Sequence, residues 1–159
     1  MATRTACEAL LSQFQSSWNM LRQAINNVPE GCWNRTYNGW TFSDTVYHII
    51  STQEFYFRDT PEGMGWGILY GDPKYEADDP EKYYPSKAVL LEYQGRLESE
   101  ISEYLGSNND SGLEMNDGFK EWLHNVHVKL LYLLRHNAHH IGELARMLRE
   151  WDAERVSWV

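Results

Sequence analysis

Residues Leu133–Leu148 read LLRHNAHHIGELARML. Leu133, Leu144, Met147 and Leu148 recur at helical spacing, so the stretch is an amphipathic helix, and its neighbours extend it from about Phe119 to Trp151. Two of its histidines, His136 and His140, stand four residues apart. Residues at that spacing lie one above the other on a single face. Two imidazoles so placed can grip one metal ion, as other helix-borne histidine pairs do.

Helical angles rank the histidines. With His136 at zero and steps of about 100° per residue, the apolar residues Trp122, Val126, Leu130, Leu133, Leu144, Met147, Leu148 and Trp151 fall within roughly 20–120°. His140 lands near 40° and His136 on the edge of that arc, about where an inward ligand belongs. His127, His124 and His139 fall outside it and read as surface residues. Glu143, at roughly −20°, reads first as a solvated charge, with a place as acceptor orienting an imidazole as the alternative.

A third imidazole stands apart. His48 sits inside the apolar helical segment Val46–Phe57. Alone, a core histidine is more often hydrogen-bonded structure than ligand. An inward pair is different, because burying two imidazoles side by side without a partner is costly and a metal satisfies both. The expectation is that His48, His136 and His140 meet inside a helix bundle and hold a transition-metal ion.

The rest of the chain supplies that bundle. A first helix covers roughly 4–28, with Leu10, Phe14, Trp18, Leu21, Ile25 and Val28 at steps of three or four, and Pro29 and Gly31 end it. A short connection with an Asn-Gly turn signal follows. The second helix opens at Thr41-Phe-Ser-Asp44, a cap with an acidic residue three positions on, and runs to about Arg58. Ser86 caps a third helix that reaches about Leu105, and 106–118 reads as a polar loop. Between helices two and three, Asp59–Pro85 holds four of the five prolines and several aromatics. It reads as a crossover packed on the outside of the bundle, or as a lid over a site at one end. A connection this long frees its flanking helices to run parallel. The fold class is all-α, a four-helix bundle with one long crossover, in a single domain over 1–159.

Composition narrows the function. A formal net charge of −9 leaves no electrostatic footprint for nucleic acid or an anionic membrane. Cys7 and Cys32 are the only cysteines, too few for a disulfide framework, and no CxxC pair exists; both read as packing. The start, MATRTACEALLSQFQSSW, is neither a signal peptide nor a membrane span, so a cytoplasmic protein is expected. Trp158, in the short tail, is left looking for a partner.

Trp40-Thr-Phe-Ser-Asp44 with His48, and His136-Asn-Ala-His-His140-Ile-Gly-Glu-Leu, together make the chain resemble the DinB/YfiT-like metalloenzyme family. The resemblance spans nearly the whole chain. It implies an up-down-down-up bundle and a divalent metal, usually nickel or zinc, held by His48, His136 and His140. It also implies thiol-dependent transferase or isomerase chemistry on a small-molecule substrate, with a low-molecular-weight thiol as partner, and a homodimer. Glu143 departs from the Gln common in such sequences.

Three neutral imidazoles leave an ion its positive charge and an open position, suited to activating a thiol or a water. The set disfavours magnesium and calcium, while zinc, nickel, iron and cobalt all remain compatible. The leading expectation is a metal-dependent enzyme of thiol-transferase or hydrolase type. The alternative is a non-catalytic bundle with a structural metal, serving protein interaction or small-ligand binding.

Overall fold

The computed structural model describes residues 3–37, 39–57, 85–116, 118–119 and 122–158. The crossover over 59–85, whether outer packing or lid, therefore lies almost wholly outside the described residues. Seven elements follow in order: α1 (Thr5–Asn27), β1 (Thr36–Tyr37), β2 (Trp40–Thr41), α2 (Phe42–Phe57), α3 (Lys87–Ser107), α4 (Asp110–Leu113) and α5 (Val126–Glu150). Among the described residues, four long helices carry the fold, which is all-α apart from one two-residue-stranded hairpin.

Two apolar clusters fix the helix directions. One gathers Leu21 and Ile25 from the end of α1, Phe42 and Val46 from the start of α2, Leu90 and Tyr93 from the start of α3, and Leu144 and Leu148 from the end of α5. The other gathers the opposite ends: Leu10 and Phe14, Phe55 and Tyr56, Ile101 and Leu105, Leu130 and Leu133. The bundle therefore runs up-down-down-up. Helices α2 and α3 are parallel, and α2 lies antiparallel against α5.

Local chemistry sets the helix starts. The Thr41 N–H donates to Asp44 Oδ2 and the Asp44 N–H to Thr41 Oγ1, both at 3.0 Å, closing a reciprocal capping box. This fixes where α2 begins and so which face carries His48. Ser86 accepts from the Val89 N–H and starts α3 as expected.

Three expectations need correction. The last helix starts at Val126, seven residues later than Phe119, because the Asn125 side chain accepts from the Val128 N–H at 2.9 Å and caps it there. Trp122, assigned to the apolar arc, precedes the helix and is 54% exposed. The polar stretch 106–118 contains the one-turn helix α4. Its Asp110 carboxylate accepts from the N–H groups of Ala6 and Cys7 at 3.0 and 3.2 Å, supplying the cap that α1 lacks in its own sequence. Asn125→Ala is expected to cost about 1 kcal/mol of stability; a denaturant melt with unchanged slope measures it.

Between the apolar clusters lies a polar layer. Trp18 Nε1–H donates to Gln53 Oε1 at 2.8 Å, Gln94 donates to the Trp18 carbonyl at 3.0 Å, and Tyr93 donates to the buried Glu54 carboxylate. Cys7 is buried and Cys32 half-buried, both as free thiols, and burial pushes the Cys7 thiol up, away from thiolate chemistry. The tail docks through Ala153 and Val156, packed on the core, and through the Ser157 N–H, which donates to Gln23 at 2.8 Å, while Trp158 stays exposed. Among the described residues, no helix is long and apolar enough to cross a membrane.

Candidate metal centre

His48 projects from α2 toward α5, which runs antiparallel to it. There it meets His136 and His140. The ring centroids lie 4.9 Å apart for His48 and His136, 4.8 Å for His48 and His140, and 4.5 Å for His136 and His140. One ring nitrogen from each falls within 4.8 Å of the others. All three side chains are half-buried, at the boundary between core and solvent.

His48 and His136 face each other through their Nε2 atoms at 3.0 Å. Two ring nitrogens bonded to one tetrahedral zinc at about 2.0–2.1 Å would stand roughly 3.3 Å apart, so the spacing suits a shared cation. Without one, a single proton must be shared between the two nitrogens. Desolvation, then the neighbouring His140, His48 and His139, push the His136 pKa down to about 3. Burial and His140 lower that of His48 as well. Both imidazoles are thus kept as neutral donors, the form a metal requires.

Glu143 does more than carry charge. His140 Nδ1–H donates to Glu143 Oε2 at 2.6 Å, which fixes the ring and leaves Nε2 as its remaining nitrogen. Glu143 is exposed, as a solvated charge should be, and it also takes the alternative place of an acceptor orienting His140, because i and i+3 bring the two side chains together. On the other side, Trp40 sits edge-on to His48 with centroids 5.2 Å apart. Asn137, beside His136, is 1% exposed, and its side chain offsets part of the fall in the His136 pKa.

Of the histidines expected at the surface, His139 is 68% exposed on α5, His127 is half-buried there, and His124 is exposed but precedes the helix, so its helical angle has no meaning. His139, His140 and Glu143 form a second, more exposed group able to hold an ion, and it shares His140 with the first. Only the first is built wholly from imidazoles.

The hairpin was not foreseen. The Asn-Gly turn signal marked its position, but strands of two residues are too short for an alternating pattern. Its pair Tyr37 and Trp40, opposed across the strands, walls a cavity of about 220 Å³ beside His140. Glu143 and Arg146 of α5 line the other side.

A search of curated proteins found no match to the chain. A family model described as the DinB superfamily matches residues 13–144. That match runs through α1, α2 and α3 into α5 and takes in all three converging histidines, so the chain belongs to the DinB superfamily.

Proposed function

We propose that the chain is a metal-dependent enzyme whose ion is held by His48, His136 and His140. The observation that carries this reading is the convergence of three half-buried imidazoles, two kept neutral by burial, from two antiparallel helices. The imidazole donor set suits zinc, nickel, iron or cobalt alike, and the family resemblance points to zinc or nickel among them. When bound, such an ion lowers the pKa of a coordinated thiol or water and makes it a nucleophile at neutral pH.

The chain's own residues supply the rest. Glu143 holds the His140 ring by its Nδ1 proton, and Trp40 covers the outer face of His48. The cavity that His140 lines offers a small substrate a place beside the three histidines. The reaction is transfer of a low-molecular-weight thiol to a small electrophile, or hydrolysis of one.

The test is turnover. Protein loaded with one zinc or nickel per chain is expected to convert members of a thiol-and-electrophile panel or an ester panel. A chelator should abolish the activity and re-addition of the ion restore it. Stoichiometrically loaded protein that is inert to both panels, yet melts much lower after chelation, would overturn catalysis in favour of a structural metal. Glu143→Ala is expected to weaken zinc binding roughly 10–100-fold while leaving the fold unchanged, as loss of an orienting acceptor does. Competition titration with a chromophoric chelator reads that change.

A further inference from the structure

The exposed group of His139, His140 and Glu143 adjoins the three-histidine cluster and shares one ring with it. His139 and Glu143 stand four residues apart on α5, the spacing at which two side chains meet on one helical face and can take one ion. His139 Nε2 lies 3.8 Å from Glu143 Oε1, and His140 Nδ1 lies 2.6 Å from Glu143 Oε2. Donors bound to one tetrahedral zinc at about 2.0–2.2 Å stand roughly 3.4 Å apart, between those two distances. His139 and Glu143 are both exposed, so their side chains are free to make the small rotations that close the gap.

His140 belongs to the two groups through different nitrogens. Its Nδ1 faces Glu143, which leaves Nε2 for the cluster with His48 and His136. A neutral imidazole carries one N–H and one lone pair, so this ring serves one ion at a time. With its proton on Nδ1, the ring is held by Glu143 and presents Nε2 inward. With its proton on Nε2, it presents Nδ1 outward, beside the Glu143 carboxylate and His139. The outer group meets solvent first, and a formal charge of −9 concentrates cations around the chain.

We propose that His139, His140 and Glu143 form a loading site that captures a divalent transition-metal ion and passes it to His48, His136 and His140. The transfer is an exchange at one ring. The ion leaves Nδ1 for Nε2, the ring proton moves from Nε2 to Nδ1, and Glu143 changes from ligand to hydrogen-bond acceptor. No proton is gained or lost overall. The inference rests on the metal reading above and adds the route by which the ion arrives.

The rate at which metal-free protein withdraws zinc from a weak chromophoric chelator tests it. His139→Ala is expected to load at least about tenfold more slowly than wild type, the lower end of what local ion capture adds to an on-rate. Its final zinc affinity should be unchanged. Glu143→Gln should load slowly too, while its amide oxygen still accepts from His140 Nδ1–H and preserves the inner affinity. A second measurement isolates the outer group. The double variant His48→Ala/His136→Phe should keep one weakly bound zinc, and adding His139→Ala should weaken that binding at least about tenfold, as loss of a donor does. Loading of His139→Ala at the wild-type rate, or weak binding in the double variant that ignores His139, would overturn the inference while wild type still holds one zinc per chain. A wild-type protein that retains no zinc would overturn the metal reading and this inference with it.

Discussion

His48→Ala protein is expected to keep its helical content and to lose its bound zinc, with affinity falling more than 100-fold. The imidazole is the only one of the three contributed by α2, and its Nε2 stands 3.0 Å from that of His136. Removing it leaves two donors on one helix and water in place of the third. Losing an acceptor outside the ligand set already costs 10–100-fold in such sites, so loss of a donor should exceed that. The fold should survive, because His48 is half-buried while the neighbouring Val46, Ile49 and Ile50 are fully buried and anchor α2. His139→Ala supplies the contrast. It removes a ring from the exposed group formed with His140 and Glu143 and should leave zinc affinity unchanged. If His139→Ala loses the ion and His48→Ala keeps it, the centre lies on the surface of α5 instead.

Stripping the metal is expected to make the fold acid-sensitive. His136 takes a proton at about 3 in the folded chain, against an ordinary value of 6.5. Between those limits the unfolded chain binds a proton that the folded chain refuses, so acid favours unfolding. Above pH 6.5 both states are neutral at this group and it contributes no pH dependence. Stability should therefore be full there, decline as pH falls from 6.5 toward 3, and decline no further from this group below that. His48, also lowered, adds in the same direction. Melting of chelator-treated protein should drop by at least several degrees across the window. His136→Phe, which removes the titrating ring and keeps the site filled, should flatten the decline. An unaltered slope in that variant would mean that other groups govern the acid response.

The helices were legible in the sequence because each long one buries a stripe at steps of three or four. The α1 stripe of Leu10, Phe14, Trp18, Leu21 and Ile25 is buried as its spacing predicts. On α5, the angular argument separated His136 and His140 from the exposed His139. It could not find the start of α5, since Trp122 and Leu123 continue the apolar pattern and only the cap at Asn125 breaks it. Lys129 and Asn137 are buried too; their angles, about 20° and 100°, fall inside the apolar arc, and only their polar side chains hid it. Lys129 is accommodated with its ammonium 4.4 Å from the centroid of the Phe119 ring, a tertiary contact with no local signal. α2 is buried at every position from Ser51 to Tyr56, so periodicity says little about which face of it turns inward. The direction of His48 followed from the pairing of α2 with α5, and that pairing is a property of the whole bundle. Arg146 at the cavity wall depends in the same way on a hairpin too short to leave a pattern.

X-ray absorption at the zinc edge, on protein loaded with one equivalent, tests the central claim most directly. The account predicts three imidazole nitrogens at about 2.0–2.1 Å in the wild type, falling to two in His48→Ala. A shell dominated by carboxylate oxygen, or three imidazoles undiminished when His48 is removed, would contradict it.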